Sequence, residues 1–172
     1  MRRLCVSVGV CLCLFSGGLR AESEVEAGEA LIKKGQFDAA CPLIESALRQ
    51  EPTSDRLKMG LVRCLLMRRE SADYVVDLRR ALRLLEESIR IYEGIPGQEK
   101  ALAWRHFYAG MALWYLNQSE QALAAFDRAL RLDATFHQAL YNSITILDEL
   151  GRYEEARLRK QTYIRIATID PF

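Results

Sequence analysis

Gly35-Gln36-Phe37-Asp38-Ala39-Ala40 decides the fold, because the chain comes back to it. The pattern reappears as Gly151-Arg152-Tyr153-Glu154-Glu155-Ala156, and 34 residues before that copy stands Asn117-Gln118-Ser119-Glu120-Gln121-Ala122. The spacing can be followed outward from each copy. Gly110, Leu113, Leu116, Asn117, Ala122, Phe126, Ala129 and Leu130 share one set of offsets with Ile144, Leu147, Leu150, Gly151, Ala156, Lys160, Tyr163 and Ile164. Gly28, Leu31, Lys34, Gly35, Ala40, Ile44, Ala47 and Leu48 share it again. Small residues recur where two helices would cross closely, and aliphatics where they would interlock. Gly35, Asn117 and Gly151 fall between the helices, at positions that favour residues tolerant of left-handed dihedrals. Self-similarity of this period implies stacked helix pairs.

One unit departs from the rule. From Gly60 to Ala81 the spacing is 21 residues, where the other units show 12. Tyr74, Leu78, Ala81, Leu82, Leu85, Ser88, Ile89 and Tyr92 trace one face of a long helix that Asp73 is placed to cap and that Gly94-Ile95-Pro96-Gly97 ends. The next helix, about Gln98 to Leu116, is also longer than a repeat needs. Residues 73–116 are therefore predicted to form a pair of elongated helices.

Gly-x-Phe/Tyr-x-x-Ala, with Ala-Leu seven and eight residues beyond the alanine, resembles the more specific half of the tetratricopeptide repeat. The resemblance covers about residues 22–168 and is good in the first, third and fourth units. It implies an all-α fold: an α-solenoid of about four antiparallel helix pairs wound as a right-handed superhelix, the second pair irregular. Lys160 replaces a usual apolar residue in the last helix, as expected of a capping helix with a more polar outer face.

The 172 residues are half apolar and carry 24 basic against 23 acidic side chains. Residues 1–21 read as an export signal. Met1-Arg2-Arg3 is a positive head, Leu4 to Phe15 is apolar, and Ser16-Gly17-Gly18-Leu19-Arg20-Ala21 offers cleavage after Gly18 or Ala21. The apolar run is too short to cross a bilayer, which takes roughly 20 residues, and neither Cys11 nor Cys13 follows the small residue that lipidation wants. Arg2, Arg3 and Arg20 are the only charges in this segment, so residues 22–172 carry 21 basic and 23 acidic groups, a net of −2. That balance leaves no basic surplus for nucleic acid. Of the five cysteines only Cys41 and Cys64 remain beyond it, as a pair for an oxidising compartment or as two buried thiols.

Catalytic patterns are lacking. His106 and His137 are the only histidines, neither neighbours a cysteine or a serine elbow, and no phosphate loop or zinc motif occurs. No cofactor, metal or enzymatic activity is expected. The helix at 98–116 instead carries two apolar faces. Leu102, Ala109, Gly110, Leu113 and Leu116 lock it to its partner helix; Trp104, Phe107, Met111, Trp114 and Tyr115 form the second face. Such a helix is either sandwiched in a core or lines a binding surface.

The family resemblance implies that this second face points into a concave groove. The same placement adds Val25, Glu29, Ile32 and Lys33 from the first unit and Leu57, Leu61 and Leu65 from the second. Gln138, Tyr141, Thr145, Asp148 and Glu149 join from the fourth, making the groove aromatic in the middle and acidic toward one end. Trp104, Phe107, Met111, Trp114, Tyr115 and Tyr141 are the candidate partner-binding residues. Trp114→Ala and Phe107→Asp are expected to abolish capture without unfolding the chain.

The functional expectation is an exported, periplasmic or envelope-associated scaffold that binds a peptide or helix of a protein partner, with a membrane-associated complex as its setting. The rival readings are a homo-oligomeric structural subunit closed through the aromatic face, and a small-molecule or lipid-binding helical-repeat protein.

Overall fold

The computed structural model describes residues 23–169, with side chains as far as 167, and the expected signal segment 1–21 lies outside that range. The described residues form eight helices and no strand. They are α1 (23–33), α2 (Phe37–Gln50), α3 (Asp55–Met67), α4 (Tyr74–Tyr92), α5 (Glu99–Tyr115), α6 (Ser119–Leu132), α7 (His137–Glu149) and α8 (Tyr153–Ile169). The chain divides into two compact units, one up to Arg68 and one from Arg69 onward. None of the helices is long and apolar enough to span a membrane.

The echo in the sequence is a backbone device. Gly35, Asn117 and Gly151 adopt positive φ values of 72°, 60° and 72°. In each case the residue that follows donates its N–H five positions back: Gln36 to the Leu31 carbonyl at 2.9 Å, Gln118 to Leu113 at 2.9 Å, and Arg152 to Leu147 at 2.8 Å. Gly35, Asn117 and Gly151 themselves donate to the carbonyls of Ile32, Trp114 and Asp148. This is the Schellman closure, and it satisfies carbonyls that a helix end would otherwise leave open. The same three-residue links, 34–36, 116–118 and 150–152, then start the next helix at Phe37, Ser119 and Tyr153.

In the unit up to Arg68, α1 and α3 share the packing of α2. Val25, Ala47 and Leu57 form one cluster, and Ile44, Leu61 and Leu65 are no more than 1% exposed. Cys41 and Cys64 are free, buried thiols there. Cys64 donates its thiol hydrogen to the Phe37 carbonyl, 3.5 Å away. Its hydrogen bond to Cys41 raises the Cys64 pKa and lowers that of Cys41, with Arg68 adding to the latter.

In the second unit each helix packs on its neighbours in sequence, α4 on α5, α5 on α6, α6 on α7 and α7 on α8. The elongation predicted for 73–116 is present: α4 runs 19 residues and α5 17. The segment before α4, residues 68–73, spends six residues where the Schellman links spend three, and α4 adds a full turn before Ala81. Asp73 does not cap that turn with its side chain. Its backbone sits at φ −99°, ψ 21° rather than in the extended conformation a capping side chain needs. Gly94 and Gly97, at φ 79° and 82°, end α4 and launch α5.

The longer α4–α5 pair buries a charge that the apolar pattern gave no sign of. Arg105, 5% exposed, donates through Nε to Ser88 Oγ at 2.6 Å and through Nη1 to the Ala101 carbonyl at 2.6 Å. Its guanidinium also lies 4.0 Å from the centroid of the Tyr92 ring. At α8 the expected polar cap is mixed. Lys160 reaches Asp148 on α7 at 2.8 Å, while Leu158 and Ile164 stand exposed beside charged neighbours.

Gly151→Ala has open space for its methyl group, so its cost is purely that of the left-handed backbone, roughly 1–2 kcal/mol. Asn117→Gly should match or exceed the wild type, since it relieves the same constraint. Urea unfolding followed by circular dichroism checks both, and an unchanged midpoint for Gly151→Ala would show that the turn is not held as described.

Candidate functional site

The second apolar face of α5 is shared between core and surface. Phe107, Met111, Trp114, Tyr115 and Tyr141 line one pocket of about 550 Å³, together with Arg69, His137, Gln138, Asn142 and Tyr163. Trp104 is not part of the lining. It is 41% exposed and packs on Phe136, with ring centroids 4.6 Å apart, and edge-on to Phe107 at 5.6 Å.

The pocket has a rigid floor and polar-tipped walls. Phe107 and Met111 are 6% and 7% exposed, so they belong to the core as much as to the site. Phe107 touches the rings of Phe126 and Phe136, with centroids 5.7 and 5.0 Å away. This burial overturns the expectation that Phe107→Asp spares the fold. A carboxylate placed among the rings of Trp104, Tyr108, Phe126 and Phe136 has no partner there, and such burial is expensive.

The walls are Trp114, Tyr115 and Tyr141. Trp114 stacks on Tyr115 at 6.1 Å and donates its indole N–H to Glu149 at 3.0 Å. Tyr141 is 60% exposed. Arg69 donates to the Tyr115 hydroxyl, and its guanidinium sits 4.6 Å from that ring's centroid. Nearby, burial and then Tyr115 push the Tyr74 phenol up to about 12, so it stays protonated at neutral pH.

The remaining predicted groove residues fall differently. In the first unit Glu29, Ile32 and Lys33 do line a smaller groove, but Val25 does not and packs with Ala47 and Leu57. Leu57, Leu61 and Leu65 are corrected outright: at 3%, 0% and 0% exposure they are core, and α3 presents Arg56, Met59 and Arg63 to the groove instead. Their i, i+4, i+8 spacing marks an apolar face without saying which side it turns to, and charged residues took the open one.

In the fourth pair Gln138 and Tyr141 line the aromatic pocket, whereas Thr145, Asp148 and Glu149 do not. Thr145 bonds back to the Tyr141 carbonyl at 3.3 Å, Asp148 is ion-paired to Lys160, and Glu149 holds Trp114. The acidic end expected of the groove is therefore already engaged. Arg69 and Tyr163 were missed by the sequence reading because one lies between helices and the other on a face assigned to packing. No cluster of metal-binding side chains occurs among the described residues.

The sequence profile of the Tetratricopeptide repeat matches residues 25–83 and 109–165, more than half of the chain. The chain belongs to the tetratricopeptide repeat family. The stretch left between the two matches, 84–108, holds the end of the elongated α4 and the added turns of α5. The tetratricopeptide repeat fold is consistent with a protein–protein interaction scaffold.

Solved structures agree on the fold. MamA is 18% identical, with a TM-score of 0.67 over 88% of this chain and 75% of its own. The apo form of RapI is 17% identical, with a TM-score of 0.68 over 87% of this chain and 56% of its own. TTC0263, a thermophilic tetratricopeptide repeat protein of Thermus thermophilus, is 19% identical, with a TM-score of 0.56 over 87% and 93%. No curated protein matches the sequence.

Floor and wall should separate cleanly by mutation. Phe107→Ala is expected to cost about 3–5 kcal/mol, as for a buried aromatic, whereas Tyr141→Ala should shift stability by less than about 0.5 kcal/mol, as for an exposed site. Denaturant unfolding of both variants decides it; equal losses would make the pocket wall part of the core.

Proposed function

We propose that the protein is an exported, non-enzymatic scaffold of the cell envelope that holds a peptide or helix of a protein partner in the aromatic pocket of α5, α7 and α8. The observation that carries this reading is the pairing of a buried floor, Phe107 and Met111, with exposed or half-exposed walls, Trp114, Tyr115 and Tyr141. Aromatic side chains give large contact area at small entropic cost, and anchors fixed beforehand lose little freedom on binding. Trp114 and Tyr115 are fixed in this sense by Glu149 and Arg69. Arg69 gives the pocket a cationic edge, which suits an apolar segment bearing an acceptor.

Export rests on Met1-Arg2-Arg3, the apolar run and the small residues up to Ala21. A second reading, a structural subunit that self-associates through the aromatic face, draws on the exposed Trp104 and Tyr141.

Three measurements test the proposal. A Trp114→Ala/Tyr141→Ala double variant should keep its melting temperature and lose a partner that the wild type captures from its own envelope fraction. A concentration-independent oligomer by light scattering, with no partner retained, would favour the subunit reading. Amino-terminal sequencing of the chain recovered from the periplasm should begin at Leu19 or Glu22; retention of Met1 in a cytoplasmic fraction would sink the export reading.

A further inference from the structure

A larger cavity lies on a different face of the same unit. α4 and α6 each pack on α5, and between them runs a trough of about 1030 Å³. We propose that this trough binds a single-chain amphiphile with an anionic head, specifically a monomeric fatty carboxylate.

An apolar stripe runs along the trough, with Gln121 and Glu86 on its sides. Leu82, Leu85 and Ile89 of α4 face Ala125 of α6 across Leu102 and Leu113 of α5. Leu102 to Leu113 is eleven steps of helix, roughly 16 Å at the helical rise, a length suited to a medium-chain acyl tail. Leu85 and Ala125 line it yet are only 0% and 3% exposed, so its α4 and α6 sides are continuous with the core.

Charge gathers at one end. Leu102 and Leu132 meet Gly94 and Ile95 where α4 stops and α5 begins, which fixes that end of the trough. There Arg90 of α4 and Arg128 and Arg131 of α6 line it, and none of the three is ion-paired among the described residues. Glu93 of α4 is the carboxylate at this end, and Glu86 lies nearer the other. His106 of α5 sits between the walls. Burial lowers its pKa first, Arg128 and Arg131 lower it further, and Glu93 opposes them, so it is neutral at physiological pH and adds no positive charge. The guanidiniums outnumber the acids, and a carboxylate head gives them the charge-assisted partner they lack. The volume is at the upper edge of small-ligand sites.

The test is calorimetric titration of the intact chain with dodecanoate below its micelle concentration, beside a neutral-headed dodecyl maltoside and short-chain hexanoate. Dodecanoate should bind saturably at one site, and both comparison compounds should bind at least about tenfold more weakly, since each lacks either the charge or the tail. Arg128→Gln/Arg131→Gln should weaken dodecanoate about tenfold or more at an unchanged melting temperature. Ala124→Phe, at an exposed rim position, should do so by blocking the trough. The Trp114→Ala/Tyr141→Ala variant should bind dodecanoate as the wild type does, which separates this site from the aromatic pocket. Non-saturable uptake, equal affinity for the maltoside, or full affinity in the double arginine variant would each overturn the proposal.

Discussion

α5 meets α6 through a side chain that is not there. A β-carbon placed on Gly110 would lie 2.6 Å from Phe126 Cε1, well inside contact distance, and Phe126 is wholly buried. The missing group lets the ring lie against the α5 backbone, and that close approach sets the position of everything α5 carries. Phe126 in turn supports Phe107, and Phe107 supports the floor on which the aromatic pocket stands. The opposite side of α5 forms the floor of the trough between α4 and α6. One interhelical contact thus stands behind two cavities, because interiors are packed too tightly for a ring to shift without moving its neighbours.

The extra length of α4 and α5 has its own internal logic. The pair also encloses a charge, Arg105, held against Ser88, the Ala101 carbonyl and Tyr92. A charge held this way contributes little net stability, since its desolvation offsets its contacts, but removing a partner leaves it stranded. The arrangement constrains the relative placement of the two helices more than a greasy contact would. It lies in the segment that the repeat profile passes over, so this part of the chain is individual where the rest follows a common plan.

What could be read from the sequence was mostly what the backbone decides locally. Gly35, Asn117 and Gly151 announced their left-handed turns because few other residues adopt them cheaply. The long helices showed through Leu78, Ala81 and Leu85, whose periodicity outlasts a single repeat. The side of a helix that faces a cavity was harder. Leu57, Leu61 and Leu65 have the same spacing whether they line a groove or fill a core, and only three-dimensional neighbours separate the two. Arg105 was illegible for a related reason: a lone arginine on an apolar helix looks like a surface residue until Ser88, seventeen positions earlier, is brought beside it. The trough arises from the distance between two helices that are never adjacent in sequence, and no local pattern encodes that distance.

The three-residue links leave no slack. Each spends a leucine carbonyl, a left-handed residue and the N–H of the residue just before the incoming helix in one closure, so a residue inserted there would break all three at once. The six residues at 93–98 are made differently, with two left-handed glycines, a proline and exposed surface nearly throughout. Extra length is tolerated between the two glycines more readily than in the three-residue links, as in most exposed turns. This makes residues 95–97 the natural place to graft a label or an epitope, and the place where related chains could grow or shrink while their helices stay in step.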